Sequence, residues 1–271
     1  MLRSARGRLT RARSAALAAR AVLFIALTAS VAHAQSAEAA ATVDRIRPSI
    51  VAVGSFQQTR QPQFRFMGTG FAVGDGTLVA TNAHVLPRQL DSGQDPERLV
   101  IVIPSRNPNE RIVRTAAAWR TLPAQDLALL KVDGAPLPPL TLGDSDRVRD
   151  GQQFLFTGFP VGGVLGLIPV THQALLGAVT PITLPAANAA QLDPRVIRQQ
   201  QAGSFDIFQL DAVAYPGSSG SPLYDPATGE VVGVINMTVA RNTKESALPQ
   251  PTGIAFAIPV RHLRTLLESA R

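Results

Sequence analysis

Short runs of apolar and β-branched residues, separated by glycine, proline, aspartate and asparagine, dominate the chain from residue 49 onward. Runs of this length and composition, with turn-forming residues between them, predict β-strands. Many short strands with little helical pattern between them indicate an all-β barrel or sandwich, built as two packed units because the chain is long. The predicted strands are Ser49–Phe56, Gly68–Val73, Thr77–Thr81, Leu99–Ile103, Ile112–Trp119, Leu127–Val132, Gln153–Thr157, Val170–Val179, Asp206–Leu210, Val231–Val239 and Gly253–Ile258.

Only the last segment, Val260–Ala270, has a clear helical period. Pro259 precedes it, which suits the first turn of a helix. The Ala/Glu-rich segment Ser36–Val43 predicts a flexible or weakly helical lead-in, and no internal repeat is visible in the sequence. The apolar residues that share one face of the last helix are Val260, Leu263, Leu266 and Leu267.

Residues 1–34 differ in composition from the rest, since they hold six arginines and no acidic residue. The whole chain has 26 basic and 19 acidic residues, so its remainder is almost neutral. The apolar stretch Ala21–Val31 precedes Ala32-His33-Ala34, which suits signal peptidase. We therefore predict a signal peptide over residues 1–34 and a periplasmic or secreted mature protein from Gln35. A retained membrane anchor over Ala15–Ala34 is the alternative.

Charge and cysteine content exclude several classes of function. Because the basic excess lies in a segment predicted to be removed, we expect no nucleic-acid partner, and no stable membrane insertion unless that segment is retained. The chain has no cysteine, which removes disulfides, cysteine-based zinc sites and a thiol nucleophile. The chain has only four histidines, which are few for a metal site built from histidine side chains. We therefore expect no metal and no cofactor.

The segment Tyr215–Leu223 (YPGSSGSPL) places glycines on both sides of Ser218 and Ser219. Such a turn can present a hydroxyl while it directs consecutive backbone N–H groups at one point. Acyl transfer needs this combination of a nucleophile and donors to the developing oxyanion. An ordinary surface turn is the simpler interpretation of the segment alone.

Two further residues stand beside predicted strands. His84, in TLVATNAHV, has the side chain best suited to act as base for a hydroxyl, although a structural histidine at a strand end is the alternative. Asp126, in QDLALLKV, could orient an imidazole or simply form a turn. The chain order His, Asp, Ser is the order of chymotrypsin-type serine proteases.

Six segments, in order from about residue 43 to the end, resemble the trypsin-like serine endopeptidases of the HtrA/Deg family. They are GTGF (Gly68–Phe71), TNAHV (Thr81–Val85), DLALLKV (Asp126–Val132), LDAVAYPGSSGSPL (Leu210–Leu223), GEVVGVIN (Gly229–Asn236) and GIAFAIP (Gly253–Pro259). The resemblance implies an all-β, chymotrypsin-like double six-stranded β-barrel, with barrels at about 43–140 and 141–258 and a C-terminal helix at 259–270. The resemblance also places the active site in the cleft between the barrels.

On matching positions, the resemblance makes His84 the general base, Asp126 its orienting partner and Ser219 the nucleophile. The N–H groups of Gly217 and Ser219 would form the oxyanion hole. Two adjacent serines leave Ser218 as the alternative nucleophile.

The chain departs from the family pattern at two positions, where Ser218 replaces Asn and Ser221 replaces Gly. Gly-Ser-Ser-Gly-Ser-Pro is closer there to glutamyl-endopeptidase-like enzymes, and the Cβ of Ser221 could restrict the loop. Only about a dozen residues follow Pro259, so we expect no PDZ domain within this chain. The sequence leaves open whether the protein forms a homo-oligomer.

By register, the pocket for the residue before the scissile bond is lined by Val213, Ile235, Asn236 and Met237. None of these is acidic, which argues against an arginine or lysine preference, and none is histidine, which argues against a glutamate preference. An apolar pocket predicts valine, alanine or leucine at that substrate position.

The function predicted from these residues and from the resemblance is that of an exported serine endopeptidase acting on unfolded or damaged proteins through an acyl-enzyme. Its partners are then protein or peptide substrates. One alternative is a binding or chaperone-like module of the same fold with a silent triad. A carboxyl-ester hydrolase that uses the same nucleophile is the other.

Overall fold

The computed structural model describes residues 36–105, 111–162, 166–181, 205–236 and 253–270. Strands and short 3₁₀ turns form most of this part of the chain, with one helix near each end: α1 over residues 36–46 and α2 over Val260–Glu268. The strands are β1 (Ile50–Phe56), β2 (Phe64–Val73), β3 (Leu78–Asn82), β4 (Arg98–Ile103), β5 (Ile112–Leu122), β6 (Leu127–Val132), β7 (Gln153–Gly158), β8 (Val170–Pro181), β9 (Asp206–Asp211), β10 (Pro222–Tyr224), β11 (Val231–Ile235) and β12 (Ile254–Pro259).

These strands close into two antiparallel six-stranded barrels, which confirms the predicted fold class. The first barrel has the strand order β1-β2-β3-β6-β5-β4, and pairing of β1 with β4 closes it. The second barrel has the order β7-β8-β9-β12-β11-β10, and pairing of β7 with β10 closes it. The two barrels therefore share one topology, although the sequence shows no repeat.

Three hydrophobic cores account for the long apolar runs. One core fills the first barrel and a second fills the other barrel. A third, the inter-barrel core, combines residues of both barrels and both helices. Strand β1 is buried on both faces because alternate side chains enter different cores: Val51 and Val53 point into the first barrel, whereas Ile50 and Ala52 point into the inter-barrel core. The inter-barrel core includes Phe71, Leu129, Tyr224, Ile258 and Leu263.

Strand β10 and the full length of α1 are among the features that the sequence pattern did not predict. Strand β10 has only three residues and begins with proline, so it lacks a readable alternation. Helix α1 is held to the turn between β10 and β11. There Thr42 donates its hydroxyl to the carbonyl of Ala227, and Arg45 donates its guanidinium to the carbonyl of Thr228.

The sequence predicts three long loops, at Pro87–Glu97, Pro185–Gly203 and Asn242–Thr252, and only the first lies among the described residues. This loop is fixed by Glu97, whose carboxylate accepts hydrogen bonds from Ser55 at 2.5 Å and from Arg60 at 2.6 Å. The hydroxyl of Ser55 and then the guanidinium of Arg60 lower the pKa of Glu97, so the carboxylate stays charged. The predicted loops at 185–203 and 242–252 lie outside the described residues, as does the predicted signal peptide at 1–34.

No helix in the described part of the chain is both long enough and apolar enough to cross a membrane.

Candidate active site

The imidazole of His84 and the carboxylate of Asp126 are in direct contact, although 42 positions separate the residues in the chain. His84 Nδ1 lies 2.5 Å from Asp126 Oδ2, and the backbone N–H of His84 donates to Asp126 Oδ1 at 2.8 Å. Because a carboxylate only accepts hydrogen bonds, Nδ1 carries the proton and the Nε2 of a neutral ring is left as an acceptor. An imidazole in this state can receive a proton from a hydroxyl.

The backbone around Asp126 explains why its carboxylate points at the histidine. Asp126 follows a short 3₁₀ turn and has left-handed dihedral angles, φ 54° and ψ 42°, which aspartate tolerates better than most residues. Its carbonyl accepts from the N–H of Ala83 at 3.0 Å and from the side chain of Asn82 at 3.1 Å. The residues just before His84 therefore fix Asp126 through its backbone as well.

Asn236 comes from the second barrel and completes the surroundings of the carboxylate. Its side-chain Nδ2 donates to Asp126 Oδ2 at 2.8 Å, and the residue is fully buried. The sequence analysis placed Asn236 in the substrate pocket, whereas in the structure its amide group contacts Asp126. A buried amide that donates to the carboxylate helps to hold it in place beside His84.

Ser219 lies in a turn whose backbone is held by hydrogen bonds. The N–H of Gly220 donates to the carbonyl of Ile235 at 2.9 Å, and the N–H of Ser218 donates to the carbonyl of Tyr215 at 2.9 Å. Gly220 has φ 87°, and a Cβ there would lie 2.0 Å from the carbonyl oxygen of Thr69. Only glycine fits this position, so the sequence Gly-Ser-Ser-Gly forms a well-defined turn rather than a flexible linker.

The turns that carry His84 and Ser219 meet at Gly68 of β2. A Cβ on Gly68 would lie 2.7 Å from a methyl group of Val85, the neighbour of His84, and 3.1 Å from the carbonyl oxygen of Ser219. The next residue, Thr69, donates its N–H to that same carbonyl at 2.9 Å. The structure thus brings His84, Asp126 and Ser219 to one region at the junction of the barrels.

Ser218 and Ser219 differ in their surroundings. The Oγ of Ser218 is buried and has no hydrogen-bond partner among the described residues, and the whole residue is 1% exposed. Ser219 is 6% exposed and takes part in polar contacts. A hydroxyl closed off from solvent is a poor nucleophile for an external substrate, which favours Ser219 over Ser218.

The extra side chain of Ser221 is accommodated by a glycine across the turn. A Cβ on Gly158, the last residue of β7, would lie 2.0 Å from Ser221 Oγ and 3.2 Å from Ser221 Cβ. The departure from the family pattern at Ser221 is therefore matched by the absence of a side chain at Gly158.

The residues predicted to line the substrate pocket lie in different environments. Val213 is 39% exposed, in the stretch between β9 and the serine turn, so it remains available for contact with substrate. Ile235 is fully buried in the core of the second barrel. Met237 lies outside the described residues. Among those described, no group of three or more His, Asp or Glu side chains could hold a metal ion.

His172 is a second histidine near the serine turn, and it lies in an apolar setting. Its ring stacks on Phe156, with centroids 4.9 Å apart, and lies 6.1 Å from the ring of Tyr215. Its Nε2 is buried with no hydrogen-bond partner among the described residues. Burial lowers the pKa of His172 below its ordinary value, because the charged ring would lose hydration.

Replacing His172 with phenylalanine is expected to make the protein less sensitive to acid. Since the pKa of His172 is lower in the folded than in the unfolded chain, the unfolded chain binds a proton first as the pH falls below about 6.5. Stability is therefore retained above that pH and lost as the pH drops through the folded pKa. The test compares the fall in Tm between about pH 7.5 and about pH 5 in both proteins.

Phenylalanine preserves the stacking on Phe156, so the variant should show a smaller fall in Tm than the original protein. His262 in α2, whose pKa burial also lowers, is unchanged in both proteins and contributes equally to the acid sensitivity of each. Equal falls in Tm would show that His172 does not contribute to it.

Comparisons with known proteins agree on one family. A family described as "Trypsin-like peptidase domain" matches residues 68–234. A DegP-like periplasmic serine endoprotease of Halomonas elongata is 31% identical over 205 residues, which cover 75% of this chain and 35% of the relative. The serine protease HhoA of Synechocystis sp. is 29% identical over 209 residues, which cover 76% of this chain and 43% of the relative.

The chain thus spans only about a third to two fifths of the length of these curated relatives. Their names confirm the resemblance to HtrA/Deg proteases. The name of the Halomonas elongata relative also confirms the predicted periplasmic location.

Solved structures agree in fold. The HtrA-type protease AlgW, bound to a decapeptide, has a TM-score of 0.59 and 22% identity, covering 86% of this chain and 67% of that protein. The Rv3671c protease of M. tuberculosis in its active form has a TM-score of 0.58 and 21% identity, covering 84% of this chain and 82% of that protein. Both share the double-barrel architecture described above.

Proposed function

Because this chain belongs to the trypsin-like peptidase domain family, we propose that it is an exported serine endopeptidase that uses Ser219, His84 and Asp126. The observation that carries the proposal is the pair of hydrogen bonds between His84 and Asp126, beside the buried turn that presents Ser219. A histidine held in this way has its Nε2 available as a base, which a serine hydroxyl needs near neutral pH.

In the first half of the proposed reaction, Ser219 Oγ attacks the carbonyl carbon of the scissile peptide bond while His84 Nε2 takes the hydroxyl proton. The carbonyl oxygen becomes negative, and the N–H groups of Gly217 and Ser219 donate to it. His84 then gives its proton to the leaving amine, and the C–N bond breaks. The product is an ester between Ser219 and the acyl half of the substrate.

In the second half, water attacks this ester and His84 accepts a proton from the water. Collapse of the second intermediate returns the proton to Ser219 Oγ and releases the carboxylic acid. Asp126 keeps the imidazole in the right tautomer and stabilises the imidazolium. Asn236 donates to the same carboxylate and so keeps it in place.

The proposed substrates are segments of unfolded or damaged proteins. The solved relative AlgW holds a decapeptide, which supports peptides as ligands for this fold. Val213, an exposed valine in the stretch before the serine turn, supports a preference for valine, alanine or leucine before the scissile bond.

We also propose that residues 1–34 direct export. Their arginines, apolar stretch and Ala32-His33-Ala34 sequence fit a signal peptide. The periplasmic location of the relatives agrees with this assignment.

The test of the proposed function is labelling with a fluorophosphonate, followed by mass spectrometry of the labelled peptide. An activated serine reacts with this reagent, whereas an ordinary serine does not. We expect one label per chain, at Ser219, together with hydrolysis of casein that labelling abolishes. Ser218 lies in the same proteolytic peptide, so fragmentation spectra have to separate the two adjacent serines.

Each other outcome contradicts part of the proposal. Label on Ser218 would overturn the choice of nucleophile. Hydrolysis of esters without hydrolysis of casein would favour the carboxyl-ester hydrolase. A folded protein that takes no label and cleaves nothing would favour the silent binding module.

A further inference from the structure

Thr69 is a polar residue in the apolar interior of strand β2, and it is fully buried at the junction of the two barrels. Its neighbours in the sequence, Gly68 and Gly70, have no side chains. A buried hydroxyl is retained at low cost only when it is hydrogen-bonded. The hydroxyl, the backbone N–H and the backbone carbonyl of Thr69 all have hydrogen-bond partners.

Two of those partners belong to the serine turn. The hydroxyl of Thr69 donates to the carbonyl of Gly217 at 2.7 Å and accepts from the N–H of Phe159 at 3.1 Å. Its backbone N–H donates to the carbonyl of Ser219 at 2.9 Å. One residue of the first barrel therefore holds the carbonyls on both sides of Ser218, in the second barrel.

Gly217 is the residue whose position most needs such support. It has φ 99°, and glycine can rotate between many backbone conformations at little cost. The preceding peptide is held by Val161, whose N–H donates to the carbonyl of Pro216 at 2.7 Å. Because N–H and C=O of a trans peptide point in opposite directions, this bond directs the N–H of Gly217 away from Val161.

The carbonyl of the following peptide accepts a hydrogen bond from the hydroxyl of Thr69. That bond directs the next N–H, of Ser218, toward the carbonyl of Tyr215, which it reaches at 2.9 Å. Without the hydroxyl, the peptide between Gly217 and Ser218 would be held only through the N–H of Ser218. The residues on either side of it, whose N–H groups form the oxyanion hole, would then be less firmly fixed.

We propose that Thr69 is a positioning residue for the oxyanion hole: its side-chain hydroxyl holds the Gly217 carbonyl so that the N–H groups of Gly217 and Ser219 converge on the substrate oxygen. This inference rests on the proposed peptidase function. Thr69 acts through the backbone of the serine turn rather than by touching substrate.

The test replaces Thr69 with valine, which keeps the shape and removes the hydroxyl. Complete loss of one oxyanion donor costs about 10²–10³-fold in kcat. Since the N–H groups remain but are misplaced, we expect kcat to fall roughly 10- to 100-fold with KM almost unchanged. Binding of a peptide boronate, which places an anionic oxygen in the same hole, should weaken by a similar factor.

Thr157→Val is the matched control. Thr157 is also fully buried, and its hydroxyl bonds Tyr224 and Thr171, neither of which belongs to the serine turn. This variant should lose stability in the same way but keep its kcat. Thr69→Ser, which restores a hydroxyl, should recover most of the kcat that valine loses.

If Thr69→Val does not fold, Thr69→Cys provides the same comparison, because a thiol is a weaker donor of similar size. Its kcat should then lie clearly below that of Thr69→Ser. The proposal is overturned if the folded valine or cysteine variant keeps the kcat and boronate affinity of the original protein. Failure of the proposed function itself would differ, because the unsubstituted protein would then be inactive.

Discussion

Replacing Ser219 with alanine is expected to lower kcat for peptide hydrolysis by about 10⁶-fold. The substitution removes only the hydroxyl that forms the acyl-enzyme. The carbonyl of residue 219 keeps its bond to the N–H of Thr69, so the turn and the fold should be preserved. Hydrolysis of casein and of a fluorogenic peptide measures the loss, and thermal unfolding verifies that the variant is folded.

The neighbouring serine supplies the control. Ser218→Ala removes a buried hydroxyl that has no hydrogen-bond partner among the described residues, so its loss should leave kcat close to that of the original protein. An active Ser219→Ala variant beside an inactive Ser218→Ala variant would reverse the assignment. Full activity in both variants would mean that neither serine is the nucleophile.

The second large effect is expected at Asp126, where asparagine should lower kcat by about 10⁴-fold near neutral pH. The carboxylate accepts bonds from the N–H and Nδ1 of His84 and from Nδ2 of Asn236. An amide offers one oxygen for these three donors, and its own NH₂ group would face a donor. The imidazole would then favour the tautomer with the proton on Nε2, which cannot accept the proton of Ser219.

The measurement is kcat as a function of pH, with circular dichroism as the check on folding. Asp75→Asn is the matched control, since Asp75 is an exposed carboxylate that accepts hydrogen bonds from the nearby Thr77. That variant should keep its kcat. Asp126→Asn with a kcat within a few-fold of the original would mean that the carboxylate does not orient His84 during the reaction.

Much of the fold could be predicted from the sequence because the strands are buried on one or both faces. Strand β1 reads as a continuous apolar run since its alternate side chains enter two different cores. Strand β6, Leu127–Val132, has the predicted bounds for the same reason: five of its six residues are buried. Local composition is sufficient where burial alone decides the structure.

The candidate residues His84, Asp126 and Ser219 could also be predicted from their order along the chain. The residues that hold them in position could not be predicted. Asn236 lies 110 positions from Asp126, and only the packing of one barrel on the other brings their side chains together. Gly158 and Ser221 are also far apart in the chain, and the pairing of β7 with β10 inside the second barrel brings them together. A polar residue within an apolar run, such as Thr69, is the one local signal that could have indicated such a contact.

The division of the site between two barrels has a consequence for how the protein is made. A ribosome that has synthesised the chain as far as Val132 has produced the imidazole and the carboxylate but not the reacting serine. Even after Ser219 emerges, the inter-barrel core still lacks Leu263, which comes later in the chain. The proposed protease is therefore inactive until α2 has been synthesised and has packed between the two barrels.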